Sequence, residues 1–286
     1  MTTTPNQSAT STPTNPKEMQ SYLQGNKLNG RVAFVTGGTR GIGAAISESL
    51  ASQHAHVAMG FSGNTEKAEQ HLALLKDHFP EQSFSLHQGN VGDPESCRRT
   101  IQEVIEQHGR LDILVNNAGI TKDKVITKMS DQDWYDVINV NLSGTFFLAQ
   151  EALKHMIERG TGRIVNVSSL IGEHGNIGQA NYAASKSGEF GLTKTLAKEA
   201  CFHLERAGKL EGNTIGITVN TVTPGYVMTE MVATIPQKVL DKIAGGIPVR
   251  RIGSPAEIAR VVHFLCSDDS GYITGQIWGV NGGQDM

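Results

Sequence analysis

Nowhere in its 286 residues does this sequence carry a run of Lys or Arg long enough to track a phosphate backbone. Its 25 basic side chains are nearly cancelled by 28 acidic ones, which excludes nucleic acid as the expected partner. Cysteine is scarce: Cys97, Cys201 and Cys266 stand apart, in odd number and without metal-ligand spacing. That excludes a disulfide scaffold and a metal cluster, and points to a reducing compartment with all three as structural thiols. No stretch approaches the roughly 20 apolar residues of a helical membrane span. The first 27 or so residues lack large apolar side chains and are rich in Thr, Ser, Pro, Asn and Gln. Such a segment buries too little surface to offset its ordering entropy, so 1–27 is expected to be a disordered arm, with no role that composition supplies. It also lacks the basic and apolar regions of a secretory signal and the Arg of a mitochondrial leader, so a cytoplasmic protein is expected.

What is present is alternation. Short runs rich in Val and Ile take turns with longer stretches of helical periodicity, the pattern of a parallel sheet covered on both faces. The strand candidates are Val32 to Val35, His56 to Phe61, Ser83 to His87, Leu111 to Val115, Arg163 to Val167, Thr218 to Val222 and Gln276 to Val280. Helices have start signals at Asn64, Asp93-Pro94, Ser130 and Ser254-Pro255. No internal repeat interrupts the order. Residues 28–286 are therefore read as one α/β domain, a doubly wound Rossmann fold with a seven-stranded parallel sheet flanked by helices. Ligands of such sheets bind beyond the carboxyl ends of the strands.

Directly after the first strand candidate comes TGGTRGIG, Thr36 to Gly43, followed by AAISESLASQ at helical spacing. Glycine permits a tight turn and close approach of a pyrophosphate, and the helix start offers free N–H groups and a positive dipole end. Glycine-rich turns often only turn, but a strand before and a helix after favour the phosphate cradle. The second strand ends in Phe61-Ser62-Gly63-Asn64, with no carboxylate to receive ribose hydroxyls. A 2′-phosphate is tolerated there, with Arg40 and Ser62 as its contacts, or else Arg40 is a solvated surface charge. NADP(H) is the cofactor expected.

The fourth strand runs into Asn116-Asn117-Ala118-Gly119 and the fifth into Ser168-Ser169. Tyr182 and Lys186 then stand four residues apart on one helix face. An ammonium beside a phenol favours the phenolate and makes Tyr a better proton shuttle. The same spacing arises often by chance, and three further features give it meaning. Ser169 precedes Tyr182 by thirteen residues, within reach of a short loop. Asn141, in an otherwise amphipathic helix, needs a polar partner, for which a water linked to Lys186 is expected. All of these elements converge on the end of the sheet that carries the glycine loop.

Together, TGGTRGIG, NNAG, Asn141, Ser169, Tyr182-x-x-x-Lys186 and Pro224-Gly225 resemble the motif set of the short-chain dehydrogenase/reductase family, over about residues 28 to 286. The glycine spacing resembles that family's TGxxxGxG loop. The resemblance implies Tyr182 as general acid and Lys186 as the residue that holds the nicotinamide ribose and lowers the phenol's pKa. It implies Ser169 as the donor polarising a carbonyl, and Asn141 as support of a proton relay. Around the cofactor it implies Gly37, Thr39, Arg40, Gly41, Ile42 and Gly43 from the first loop, with Ser62 beyond the second strand. Gly89, Asn90 and Val91 would border the adenine, where Asn90 replaces the family's usual Asp. Asn117, Ala118 and Gly119 follow the fourth strand; Pro224, Gly225, Val227 and Thr229 follow the sixth.

Two branches of that family are similar, acetoacetyl-CoA reductases and 3-oxoacyl-acyl-carrier-protein reductases. NNAGITKDKVITKMSDQDW, TVNTVTPGYVMTEMV and KVLDKIAGGIPVRRIGSPAEIA resemble the first more. By that resemblance Asp123, Ser169, Asn176, Gln179 and Tyr226 border an acyl-CoA. The plainer reading is that Asn176 and Gln179 satisfy local backbone and Tyr226 packs. A carrier-protein substrate would favour a basic patch, for which Lys122, Lys124 and Lys128 are candidates. A non-catalytic dinucleotide sensor is the reading of another class, disfavoured because every reacting position is filled. Residues 199–216 are longer than the connection usual in either branch; they are expected to extend the helix after Lys186 and add a polar turn at Gly212-Asn213. A homotetramer is implied by the resemblance. Met228 to Gly246, with Met231 and Gly245-Gly246, reads as a lid over the substrate or as a static surface helix.

Overall fold

The computed structural model describes residues 28–210, 216–230 and 232–286. The 1–27 arm, the Gly212-Asn213 turn and Met231 lie outside the described residues. Seven parallel strands form one sheet in the order β3-β2-β1-β4-β5-β6-β7. They are β1 Val32–Val35, β2 His56–Phe61, β3 Phe84–Gln88, β4 Ile113–Asn116, β5 Gly162–Val167, β6 Ile217–Pro224 and β7 Ile277–Val280. β1, β4, β5 and β6 are buried along their whole length, which is why their sequences read as continuous apolar and small-polar runs without alternation. Ala33 pairs with Val57 on one side and Ile113 on the other. The chain winds outward from β1 to β3, then returns across β1 to start β4, so the crossovers leave β1 and β4 in opposite directions. Their diverging carboxyl ends open a crevice at this switch point.

The helices are α1 Gly41–Ala51, α2 Thr65–His78, α3 Pro94–His108, α4 Asp131–Ile138, α5 Gly144–Arg159, α6 Ile171–His174, α7 Ala180–Arg206, α8 Gln237–Gly246 and α9 Pro255–Cys266. Their starts follow the sequence signals. Asn64 accepts the Lys67 N–H at 2.9 Å, Asp93 accepts that of Ser96 at 3.0 Å, and Ser130-Asp133 and Ser254-Glu257 form capping boxes. On one face of the sheet Ile46 and Leu50 of α1 pack with Ile258, Val262 and Leu265 of α9. On the other, Ile101 and Val104 of α3, Leu148 and Met156 of α5, and Leu196 and Leu204 of α7 pack together. The long connection 199–216 does extend α7, to Arg206, and Lys209 ties its end to the Ile157 carbonyl at 3.1 Å. Of the three thiols, burial pushes Cys97 up to about 11 and Cys266 up to about 12. Cys201 departs from the expected structural role: the outer face of α7 leaves it exposed.

Candidate active site

The crevice over the carboxyl ends of β1, β2 and β4 is a cleft of about 830 Å³. Its floor is the glycine loop. Gly37 and Gly41 have φ of +62° and +54°, a region that favours glycine, and a Cβ on Gly43 would overlap the Gly37 carbonyl oxygen. α1 then begins at Gly41 with no side-chain cap and no acidic residue in its first turn. The capped starts of α2, α3, α4 and α9 make the contrast: α1 leaves its N–H groups and dipole for an anion.

Thr39, Arg40, Ile42, Ser62, Asn90 and Val91 all line this cleft, as do Gly89, Asn117, Ala118, Gly119 and Thr229. Several of them also hold its walls. The Asn117 amide donates to the Thr36 carbonyl at 2.9 Å, and the Thr36 hydroxyl receives the Asn117 and Ala118 N–H groups at 2.9 and 3.0 Å. These bonds clamp the ends of β1 and β4 at a fixed gap. Asn90 Oδ1 accepts the Gly92 N–H at 3.0 Å, closing a turn and leaving Nδ2 as its donor. Lys67, which sequence reasoning missed, lines the same end as Arg40 and Ser62 and pairs with Glu230 at 2.7 Å. Its signal was its position one turn into the helix that follows Ser62. Cleft size, glycine floor and open helix start together fit a dinucleotide.

Pro224, Gly225 and Val227 lie apart from these walls. Pro224 ends β6 beside Val280, a Cβ on Gly225 would press within 2.9 Å of Asn281 Cα, and the Val227 side chain is in the core with Ile258.

The second group of side chains meets behind Gly119. A Cβ built there would lie 3.3 Å from Asn141 Oδ1 and 3.9 Å from Lys186 Nζ, so glycine is what lets the loop after β4 approach both. Lys186 is 3 % exposed; Nζ donates to the Val167 carbonyl at 2.9 Å and to Glu189 Oε1 at 2.8 Å. An ammonium has three hydrogens, and no other acceptor among the described residues takes the third. The Ser168 hydroxyl donates to the Lys186 carbonyl at 2.8 Å, locking the end of β5 to α7. Ser169 follows at once; its Oγ accepts the Ile171 N–H at 3.1 Å, which leaves its own hydrogen to donate. Burial alone would push the Lys186 ammonium down, but attraction to Glu189 and Tyr182 and the Glu189 hydrogen bond outweigh it and hold it above the ordinary lysine value.

Asn141 differs from expectation. It lies in a π turn, Asn139–Ser143, between α4 and α5, which shifts the helical phase. Its Oδ1 accepts the Ile120 N–H at 2.9 Å, and its Nδ2 donates to the Ile120 carbonyl at 3.0 Å and to Ser185 Oγ at 3.1 Å. The amide is thus held by a peptide group and a hydroxyl, protein partners that the residue pattern did not point to. Asn181, also missed, is fully buried and donates to the Lys122 and Asp133 carbonyls at 3.1 and 3.0 Å, pinning the start of α7 one residue before Tyr182.

Farther out, Gln179 donates to both Asp123 oxygens at 3.2 and 3.1 Å and accepts the Asn176 amide at 2.9 Å. These three side chains satisfy one another, joining the loop after β4 to the loop before α7. Tyr226 is 39 % exposed, so it is not a packing residue. Lys122 and Lys124 are held by Asp136 at 2.5 Å and Asp133 at 2.8 Å. In the lid candidate, α8 buries only Leu240 among its described residues.

A glycine loop at the switch point, with a Tyr and a buried Lys one turn apart on α7, is the arrangement that decides the family, and the comparisons agree. Residues 31–240 match the short chain dehydrogenase family. The chain belongs to that family. It is 46% identical over 255 residues to the acetoacetyl-CoA reductase of Shinella zoogloeoides and 45% identical to that of Rhizobium meliloti. It is 42% identical over 254 residues to the 3-oxoacyl-acyl-carrier-protein reductase FabG of Staphylococcus aureus. Each alignment covers 89% of this chain and 98% of the relative. Membership makes the chain an oxidoreductase that works with a nicotinamide dinucleotide. No helix among the described residues is long and apolar enough to cross a membrane.

Proposed function

We propose that this protein reduces the 3-oxo group of a short acyl thioester, acetoacetyl-CoA to 3-hydroxybutyryl-CoA, with NADPH, as a cytoplasmic homotetramer. The observation that carries the reading is the buried Lys186 ammonium behind Gly119, a residue of the cleft wall, with two hydrogens committed to Val167 and Glu189 and one left over among the described residues, one turn along α7 from Tyr182. The dinucleotide supplies the hydride when bound. The residues of the chain handle the oxygen and its proton. Tyr182 gives its phenolic proton to the carbonyl oxygen as charge grows there. Ser169 donates to the same oxygen, its Oγ held in place by the Ile171 N–H. Lys186 would hold the nicotinamide ribose with its remaining hydrogen, and its charge stabilises the phenolate left behind. Asn141 contributes by holding the Ile120 peptide, and so Gly119, against Lys186.

NADPH is favoured over NADH because β2 ends without a carboxylate while Arg40 and Lys67 line the adenosine end of the cleft. Acyl-CoA is favoured over an acyl-carrier protein because Lys122 and Lys124 are already neutralised by Asp136 and Asp133. Asp123, Asn176, Gln179 and Tyr226 border the thioester at the mouth of the site. Rates of NADPH and NADH oxidation with acetoacetyl-CoA and with acetoacetyl-carrier protein test this reading. The expected order is acetoacetyl-CoA with NADPH fastest. Preference for the carrier protein would move the assignment to the activity named for the staphylococcal relative, equal efficiency with NADH would remove the phosphate site, and no turnover on any pair would favour a sensor.

A further inference from the structure

Glu189 lies one turn beyond Lys186 on α7 and is 1 % exposed. A helix position facing the sheet is ordinarily apolar, because a carboxyl taken out of water costs several kcal/mol unless it is paired. Glu189 is paired only in part. Its Oε1 accepts the Lys186 hydrogen at 2.8 Å, while Oε2 has no partner among the described residues. Nothing in the packing of α7 requires a carboxyl here, and the ammonium it holds is the one whose free hydrogen serves the site. We propose that Glu189 is a positioning residue: it fixes the Lys186 ammonium at the end of β5, and its own charge sets how much of the ammonium's field reaches Tyr182. This rests on the reading of Tyr182 and Lys186 as the reacting pair.

The surroundings isolate this pair. From β5 the Val167 carbonyl and the Ser168 hydroxyl face it, and neither titrates. Glu173 of α6 is acted on by Asp285 and His174, Asp133 of α4 is held by Lys124 and Ser130, and Glu151 of α5 pairs with Lys154. Among the described residues Lys186 is the one charged group acting on Glu189. Burial pushes the Glu189 carboxyl up to about 7, against the pull of Lys186. Below that value Glu189 is neutral and the full ammonium charge stabilises the phenolate that forms when Tyr182 gives up its proton. Above it the pair is neutral and that stabilisation weakens.

The test compares Glu189→Gln and Glu189→Leu with the native enzyme, using NADPH and acetoacetyl-CoA. Gln keeps an acceptor for Lys186 without a charge; Leu removes both. In the native enzyme kcat is expected to fall roughly threefold to tenfold as pH rises through about 7. The Gln variant is expected to hold the acid-side kcat across that interval, and the Leu variant to lose about tenfold or more at every pH through misplacement of the ammonium. Infrared titration of the cofactor-free protein gives an independent readout: a carboxyl signal titrating near 7 that Glu189→Gln abolishes. A Gln variant whose pH profile superimposes on the native one, a Leu variant as fast as the Gln variant, or no carboxyl titrating in that range overturns the proposal. Tyr182→Phe run in parallel separates the two ideas, since a Phe variant keeping a tenth of native activity removes the reacting pair itself.

Discussion

The sheet buries charge at both ends, and the two ends treat it differently. At the amino end Asp112 is fully buried, yet both oxygens are engaged: it accepts the Val32 N–H at 2.9 Å and two Arg110 hydrogens at 2.6 Å, with Arg31 and Arg159 within 4 Å. Arg163, also fully buried, spends its guanidinium on the Gly162, Gly216 and Ser267 carbonyls and on Asp268. At the carboxyl end the Lys186–Glu189 pair leaves one ammonium hydrogen and one carboxyl oxygen unspent among the described residues. A cluster in which every charged atom finds a protein partner contributes to the fold. A cluster with an unspent donor carries a stability cost that makes sense where a ligand completes it.

If that contrast holds, substitutions at the two ends separate chemistry from stability. The largest effect is expected from Tyr182→Phe, which removes the proton and little else. kcat should fall by about two to four orders of magnitude, the weight of a positioned general acid, while the NADPH Kd and the melting temperature stay near native. Stopped-flow turnover with fluorescence titration of NADPH checks both halves.

Asp112→Ala is the mirror experiment. It strands the Val32 N–H and uncouples three arginines, so unfolding free energy should fall by about 3–5 kcal/mol in urea or thermal denaturation. kcat at a temperature where the variant is folded should remain within about twofold of native, because sites this far apart combine independently. A kcat loss on the scale of Tyr182→Phe would mean that the two ends are coupled and would break the comparison.

The same contrast explains what the sequence could reveal. Glycine loop, caps and the Tyr182-Lys186 spacing were legible because each is set within a few residues: Gly37 needs its φ, Asn64 and Ser130 need N–H groups three residues on, and one helical turn places Tyr182 beside Lys186. Features that depend on the fold were not. β4 starts at Ile113 and not Leu111 because the Leu111 N–H goes to the His155 ring at 3.2 Å, across the sequence. The protein partners of Asn141 are among them, because a π turn that re-aims its amide onto Ile120 has no marker in the residues themselves. Glu189 was visible as an i, i+3 partner of Lys186, but such pairs are usually solvated, and only the sheet packed over α7 makes this one buried.

The smallest effect is expected at the rim of the carboxyl end, where a third ion pair is neither buried nor left open. Lys67 and Glu230 are 51% and 69% exposed in their side chains and 2.7 Å apart. An exposed pair of this kind gains little over solvation, so Lys67→Ala should change stability by no more than about 0.5 kcal/mol, with less difference still at high salt. Its weight lies in what the ammonium faces. Lys67 borders the cleft beside Arg40 and Ser62, and a 2′-phosphate there would draw it away from Glu230. Kd for NADPH should therefore rise by about threefold to tenfold in the variant while Kd for NADH stays put, and the NADPH effect should shrink as salt screens the charge. Equal losses for both dinucleotides would show that Lys67 shapes the rim without reading the phosphate, and would leave Arg40 and Ser62 to make that distinction.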